Sequence, residues 1–227
     1  MTARAQVDHL VVVAASLAQG VQWCEATLGI TPGPGGVHAL MGTHNRLLSI
    51  ATPEFPRAYL EIIAINPGAT PARPAGARRW FDMDDAALQA RVAQHGPQLV
   101  HCVASVPDAA EAVQSLHGLD LDRGPLLAAS RPTAAGLLQW QISVRDDGQR
   151  LLDGCLPTLI QWGATHPADA MAASGVTLLR LHASHPQAAL LHKAYGAIGL
   201  DSVTLTHGAP RLTATLQTPK GLLELSS

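Results

Sequence analysis

The chain lacks the features that would place it in several large functional classes. Its 227 residues contain no apolar run approaching the roughly 20 residues of a membrane span, and no basic segment leading into an apolar stretch with a cleavage site. Charge is sparse. Fifteen Lys and Arg against seventeen Asp and Glu leave a net charge of −2, and the longest basic cluster is Arg78-Arg79, so no positive face is available for a nucleic acid. The cysteines number three, Cys24, Cys102 and Cys155, with no CxxC spacing. That pattern argues against a disulfide framework and fits reduced residues in a cytoplasmic protein. Aromatic residues make up only 4%. Trp80, Phe81, Trp140 and Trp162 are half of them and are expected as core anchors, with Trp140 and Trp162 the candidates for a pocket wall.

What the sequence has is repetition. Three stretches each open on an apolar strand, continue through a short helix and end on a strand reading apolar-apolar-polar-apolar. The first runs from Val7-Asp8-His9-Leu10 to Leu60-Glu61-Ile62, the second from Val100-His101-Cys102 to Ile160-Gln161-Trp162, the third from Leu179-Arg180-Leu181 to Leu223-Glu224-Leu225. His9 precedes the helix N-cap candidate Ser16 by seven residues, His101 precedes Asp108 by seven, and Arg180 precedes Gln187 by seven. The first two histidines therefore correspond, and the third unit has Arg180 in their place. Recurrence of one supersecondary unit makes it the basis of the architecture.

Hydrophobic period and turn residues give the elements of each unit. A strand over 10–14 precedes a helix over 17–28 that Gly29 stops, strands over 37–41 and 46–51 flank Gly42-Thr43-His44-Asn45 read as a tight connection, and a strand covers 58–65. Residues 66–76 read as an exposed connection, and Asp84 or Asp85 caps a helix reaching His95. The second unit has a strand over 99–105, a helix over 108–116 and strands near 126–130, 137–144 and 158–162. The third has a strand over 177–183, a helix over 187–197 and strands over 203–207, 211–217 and 222–225. The predicted class is α+β, with three βαβββ modules over 1–66, 77–164 (including the connecting helix) and 175–227.

Paired βαβββ units with a His on the first strand and a Glu on the fourth resemble the vicinal oxygen chelate superfamily and, within it, the glyoxalase-like domain proteins. Asp8-His9-Leu10-Val11-Val12, Gly35-Gly36-Val37-His38, Tyr59-Leu60-Glu61, Arg79-Trp80-Phe81 and Leu156-Pro157-Thr158-Leu159-Ile160-Gln161-Trp162 carry the resemblance. It implies sheets curled into a cup around a divalent metal, a small-molecule substrate with adjacent oxygens, and a homodimer. Glyoxalase, epimerase, dioxygenase and thiol-transfer chemistry all occur there, beside metal-free binding members, and fold alone does not choose among them.

The metal ligands so implied are His9, Glu61, His101 and Gln161. Two imidazoles, a carboxylate and an amide oxygen suit Zn, Ni, Mn, Co or Fe(II), and such an ion would polarise two adjacent substrate oxygens. Gln161 stands where the resemblance calls for Glu and cannot shuttle a proton. The base is therefore Glu61, or His38 or His44 on the neighbouring loop. Each residue has a plainer reading. A strand histidine can serve structure alone, Glu61 can pair with an arginine, and Gly42-Thr43-His44-Asn45 can be only a turn. Arg180 and Glu224 read as an ion pair or a solvated face. His95, His117, His166, His185, His192 and His207 read as surface residues. The expected activity is a metal-dependent lyase, isomerase or dioxygenase; the alternative is a metal-free small-molecule binding protein.

Overall fold

The computed structural model describes residues 4–133 and 136–227. The first module comprises β1 (Gln6–Val13), α1 (Leu17–Leu28), β2 (Val37–His38), β3 (Thr43–Ser49) and β4 (Tyr59–Ile65). After α2 (Ala86–His95) the second comprises β5 (Gln98–Ser105), α3 (Ala109–His117), β6 (Leu126–Thr133), β7 (Gly136–Ser143) and β8 (Thr158–Trp162). The third comprises β9 (Thr177–Ser184), α4 (Ala188–Ile198), β10 (Val203–Thr206), β11 (Arg211–Thr218) and β12 (Gly221–Ser226).

Local chemistry sets the helix ends. The Ser16 hydroxyl accepts from the Gln19 amide, Asp85 from Leu88, and Asp108 from Glu111, each satisfying an otherwise orphaned amide. Gly29 closes α1 at φ 79°, a conformation that favours glycine.

The first two modules build one eight-stranded sheet in the order β2-β3-β4-β1-β5-β8-β7-β6. In each, the first strand lies parallel to the fourth, and β1 and β5 join the modules antiparallel. The sheet curls strongly. Asn45 on β3 and Trp140 on β7 sit five strands apart yet line one cavity, and a flat sheet would separate them by about 24 Å at the usual strand spacing. At the two edges the ends nearly meet: a Cβ on Gly36, just before β2, would fall 1.7 Å from Nη1 of Arg131 on β6. Bare backbone at Gly36 lets that guanidinium rest against the opposite rim.

Two apolar layers result. Inside the cup, Val11, Val13, Ile63, Val103, Ile142 and Ile160 pack with Trp80, Phe81 and Met83 of the connecting segment and with Leu88 and Val92 of α2. The anchors expected at Trp80 and Phe81, with the helix that follows them, thus plug the cup. Outside, Leu10, Val12, Leu60, Ile62, Cys102 and Leu159 pack with the helices and with Leu178, Leu191, Tyr195 and Leu212 of the third module.

The third module repeats the element order but not the strand order. Its sheet runs β10-β9-β11-β12, with β10, the strand directly after α4, parallel to β9. Arg180 and Glu224 both pair with Thr215 from opposite sides and are exposed. Among the described residues no ion pair joins them, so this is a solvated face. No helix among the described residues is long and apolar enough to cross a membrane.

Candidate active site

The site starts from a defect in a strand. β1 and β5 pair Val7 with Ala104 and His9 with Val103, a register shift that leaves Asp8 without a partner on β5. In a regular strand consecutive side chains face opposite ways; a bulge breaks that rule. Asp8 and His9 can therefore act together. Asp8 Oδ1 lies 2.7 Å from His9 Nδ1, while its Oδ2 accepts from Trp162 Nε1 at 2.8 Å and from His166 Nε2 at 3.0 Å. A carboxylate only accepts, so both histidines donate to it. His166 Nδ1 in turn accepts from the Ala168 amide. Burial alone would raise the Asp8 carboxyl, but its bonds to His166 and His9 outweigh that and hold it well below the usual carboxylate range.

With Nδ1 held by Asp8, His9 presents Nε2 to Glu61, whose Oε2 is 3.5 Å away. Glu61 is fixed from the other side. Asn45 Nδ2 donates to its Oε1 at 2.6 Å, and Asn45 Oδ1 accepts from the Gly36 amide at 2.7 Å. His38 Nε2 lies 3.3 Å from Asn45 Nδ2 and 3.9 Å from Glu61 Oε1, with its Nδ1 on Thr43 Oγ1. Burial pulls the His38 imidazole down to about 4, so at neutral pH it accepts from Asn45 and donates to Thr43. The His9 ring stacks on Tyr59 at 4.7 Å.

These side chains form the floor of a narrow cavity of about 30 Å³ walled by Trp80, Phe81, Trp140 and Trp162, with Arg131 at its rim. Counting Tyr59, five of the chain's eight aromatic residues line it. In so aromatic-poor a sequence that concentration singles this cavity out as the candidate site, and it extends the expected pocket wall to Trp80 and Phe81. Beyond Arg131 an open groove of about 1080 Å³ continues between the first module's edge and residues 165–174.

The structure brings together His9, Glu61 and His38 and separates the other expected residues. His101 lies on the same face as His9, since Val11 pairs with His101 and His9 with Val103. Both its ring nitrogens are nevertheless occupied: Nδ1 by the Gly154 carbonyl at 2.9 Å, Nε2 by the Thr158 amide and hydroxyl at 3.1 and 3.0 Å. The bulge recurs here with Val100 unpaired, so His101 has valine where His9 has Asp8. Register also corrects the match of Gln161 to Glu61. Glu61 pairs with Val11, two beyond His9, and the residue paired with Val103, two beyond His101, is Thr158. Gln161 faces the helices, where its Oε1 accepts from the Ala109 amide at 2.8 Å. His44 pairs with Ala64 inside β3, on the face opposite Asn45 and Glu61. The chain reverses one turn earlier than expected, at 39–42, and Gly42 adopts φ 60°.

The four expected metal ligands therefore do not converge, because His101 has no free nitrogen and Gln161 points to the other face. Among the described residues no group of three or more His, Cys, Asp or Glu is placed to hold a metal ion. Sequence reasoning missed Asp8 and Arg131, ranked Asn45 below His38 and His44 in their cluster, and took His166 and His185 for surface residues. Both are buried, His166 on Asp8 and His185 on Asp153 and the Gln187 amide. Asp8 beside His9 was the available signal, but only the bulge turns adjacency into contact.

This curled pair of βαβββ modules is the glyoxalase fold. The chain belongs to the glyoxalase-like domain family, whose model matches residues 7–199. A hypothetical protein from Staphylococcus aureus shares the fold at a TM-score of 0.56 and 12% identity, over 98% of this chain and 85% of that one. Methylmalonyl-CoA epimerase from Streptomyces coelicolor, in complex with 2-nitronate-propionyl-CoA, gives a TM-score of 0.41 and 15% identity over 73% of this chain and all of that one. The Mycobacterium tuberculosis epimerase gives 0.39 and 13%, over 73% and 91%. No curated protein matches the sequence.

Proposed function

We propose that the chain is a small-molecule proton-transfer enzyme, a lyase or isomerase, in which Glu61 and His9 act as base and acid on a substrate bearing adjacent oxygens. The observation that carries this reading is the buried line Asp8–His9–Glu61, with contacts of 2.7 and 3.5 Å, at the floor of an aromatic-walled cavity. A positioned base needs a second group that fixes its orientation and a pocket that excludes water. Asn45 orients Glu61, Asp8 fixes the His9 tautomer, and the aromatic walls keep the floor dry. Glu61 would remove a proton from the carbon beside the carbonyl, and His9, carrying a proton on each ring nitrogen between the Asp8 and Glu61 carboxylates, would give its Nε2 proton to the neighbouring oxygen. The divalent metal of the family is not used through His9, Glu61, His101 and Gln161 together, because two of the four are committed elsewhere. We take the protein to work in the cytoplasm as a homodimer, the commonest symmetric assembly.

The test is hydrogen exchange into carbon acids. A panel of 2-oxo and 2-hydroxy acids and their esters is incubated with the protein in D₂O, and loss of the C–H signal is followed by proton NMR. Exchange with at least one member is expected, reduced at least about 100-fold in Glu61→Gln. Ligand binding without exchange anywhere in the panel would assign the chain to the metal-free binding proteins instead.

A further inference from the structure

Arg131 carries a charge that the described residues leave unanswered. Its Nε and Nη1 are buried with no hydrogen-bond partner among the described residues, and no carboxylate among them lies within ion-pair distance. Most other buried or half-buried arginines have such a partner: Arg73 has Asp146, Arg79 has Asp84, Arg145 has Asp147 and Arg150 has Asp82. A buried guanidinium with unmet donors costs stability unless an acceptor arrives. Arg131 lines both the inner cavity and the open groove, as do Leu47, Leu138 and Pro167. The two spaces are thus one bipartite site with the cation at the junction. On the groove side the walls are mainly apolar, among them Ile30, Val37, Leu48, Pro132 and Met171. The acidic side chain there, Asp169, is paired with Arg57 at 2.9 Å.

We infer that the substrate is an amphiphilic carboxylate, its charged group held by Arg131 and its apolar chain lying in the groove between β2–β3 and residues 165–174. This rests on the reading of Glu61 and His9 as the reacting end of the same cavity. The planar fork of arginine matches a carboxylate in two parallel hydrogen bonds. A groove of about 1080 Å³ far exceeds what a three-carbon acid needs. The inner cavity, of about 30 Å³, has room for little more than solvent, so a substrate confined to it would leave the groove unused. The Gly36 backbone against Arg131 keeps the fork at the rim, where a chain can pass from groove to floor.

Calorimetric titration of the full chain with straight-chain carboxylates from butanoate to dodecanoate, and with 1-decanol, tests the inference. Affinity should rise with length, by up to about fourfold per methylene buried, and 1-decanol should bind at least about tenfold more weakly than decanoate. Arg131→Met should lower decanoate affinity about 10- to 100-fold, and Arg131→Lys should recover part of it. Ala172→Trp, which narrows the groove, should weaken dodecanoate and spare butanoate. A flat dependence on chain length, or unchanged decanoate binding in Arg131→Met, overturns the inference. Repeating the titration with Glu61→Gln separates the two proposals. Retained decanoate binding with no exchange activity in any variant sinks the proton-transfer reading alone. Exchange restricted to short or neutral substrates sinks the amphiphile reading alone.

Discussion

Asp8→Asn removes one charge and almost no volume, and it acts on the group that organises the site. The Asp8 carboxylate is buried and receives three donors: His9 Nδ1, Trp162 Nε1 and His166 Nε2, at 2.7, 2.8 and 3.0 Å. An asparagine offers one oxygen to that set and turns its NH₂ toward a group that also donates. Hydrogen bonds to a charged group contribute about 1.5–3 kcal/mol each. Weakening two of the three predicts a loss of about 3 kcal/mol, read from urea unfolding. The pH dependence has a definite sign. Asp8 is held below the usual carboxylate range, so the unfolded chain takes up the proton first as pH falls. Its contribution is complete above the ordinary value of about 3.9 and is lost below it. The gap between the wild type and Asp8→Asn should be constant from about pH 8 to 5 and narrow below about pH 4. A gap under about 1 kcal/mol, or one that opens as pH falls, would refute the assignment of Asp8 as the ionised hub.

Two further outcomes are expected. His38 sits near pKa 4 because it is buried, so the unfolded chain, titrating near about 6.5, binds its proton first. Stability should be full above about pH 6.5 and fall toward pH 4 by up to about 3 kcal/mol, and His38→Gln should flatten that part of the stability curve. Ending the chain after Ser174 removes Leu178, Leu181, Leu191, Tyr195 and Leu212 from a core they share with α3 and the convex face of the sheet. The shortened chain should aggregate by light scattering; a soluble monomer with an unchanged Tm would make the third module an independent appendage.

Much of the fold was legible in the sequence because it rests on local chemistry. Ser16, Asp85 and Asp108 cap helices by bonding amides three residues on, and Gly29 ends one by accepting a positive φ, all visible in short windows. The repeat showed which strands belong together. What stayed hidden depends on pairing between distant segments. The bulge that makes Asp8 a partner of His9 exists only in the register of β1 against β5. The match of Glu61 to Thr158, rather than to Gln161, follows from Cα partners in two parallel ladders, while linear spacing pointed three residues further on. Moving one turn from 42–45 to 39–42 placed Asn45 on the site face and His44 behind it, since facing alternates with every strand residue. His166 reaches Asp8 from a connecting segment and Arg131 reaches the cavity from an edge strand, where no periodic pattern announces burial. The third module kept the apolar pattern of the first two and rearranged its strands, which periodicity alone does not register.

The central claim, that proton transfer rests on Glu61 and His9 and not on a four-ligand metal site, is tested most directly by comparing Glu61→Gln with Gln161→Ala in the hydrogen-exchange assay after chelation and again after adding Zn, Ni, Mn, Co or Fe(II). The account predicts that Glu61→Gln abolishes exchange under every condition. Gln161→Ala should lose about 1 kcal/mol of stability with its bond to the Ala109 amide, yet exchange at the wild-type rate with or without metal. Loss of exchange in Gln161→Ala, or wild-type exchange that stops on chelation and returns with one metal, would contradict it.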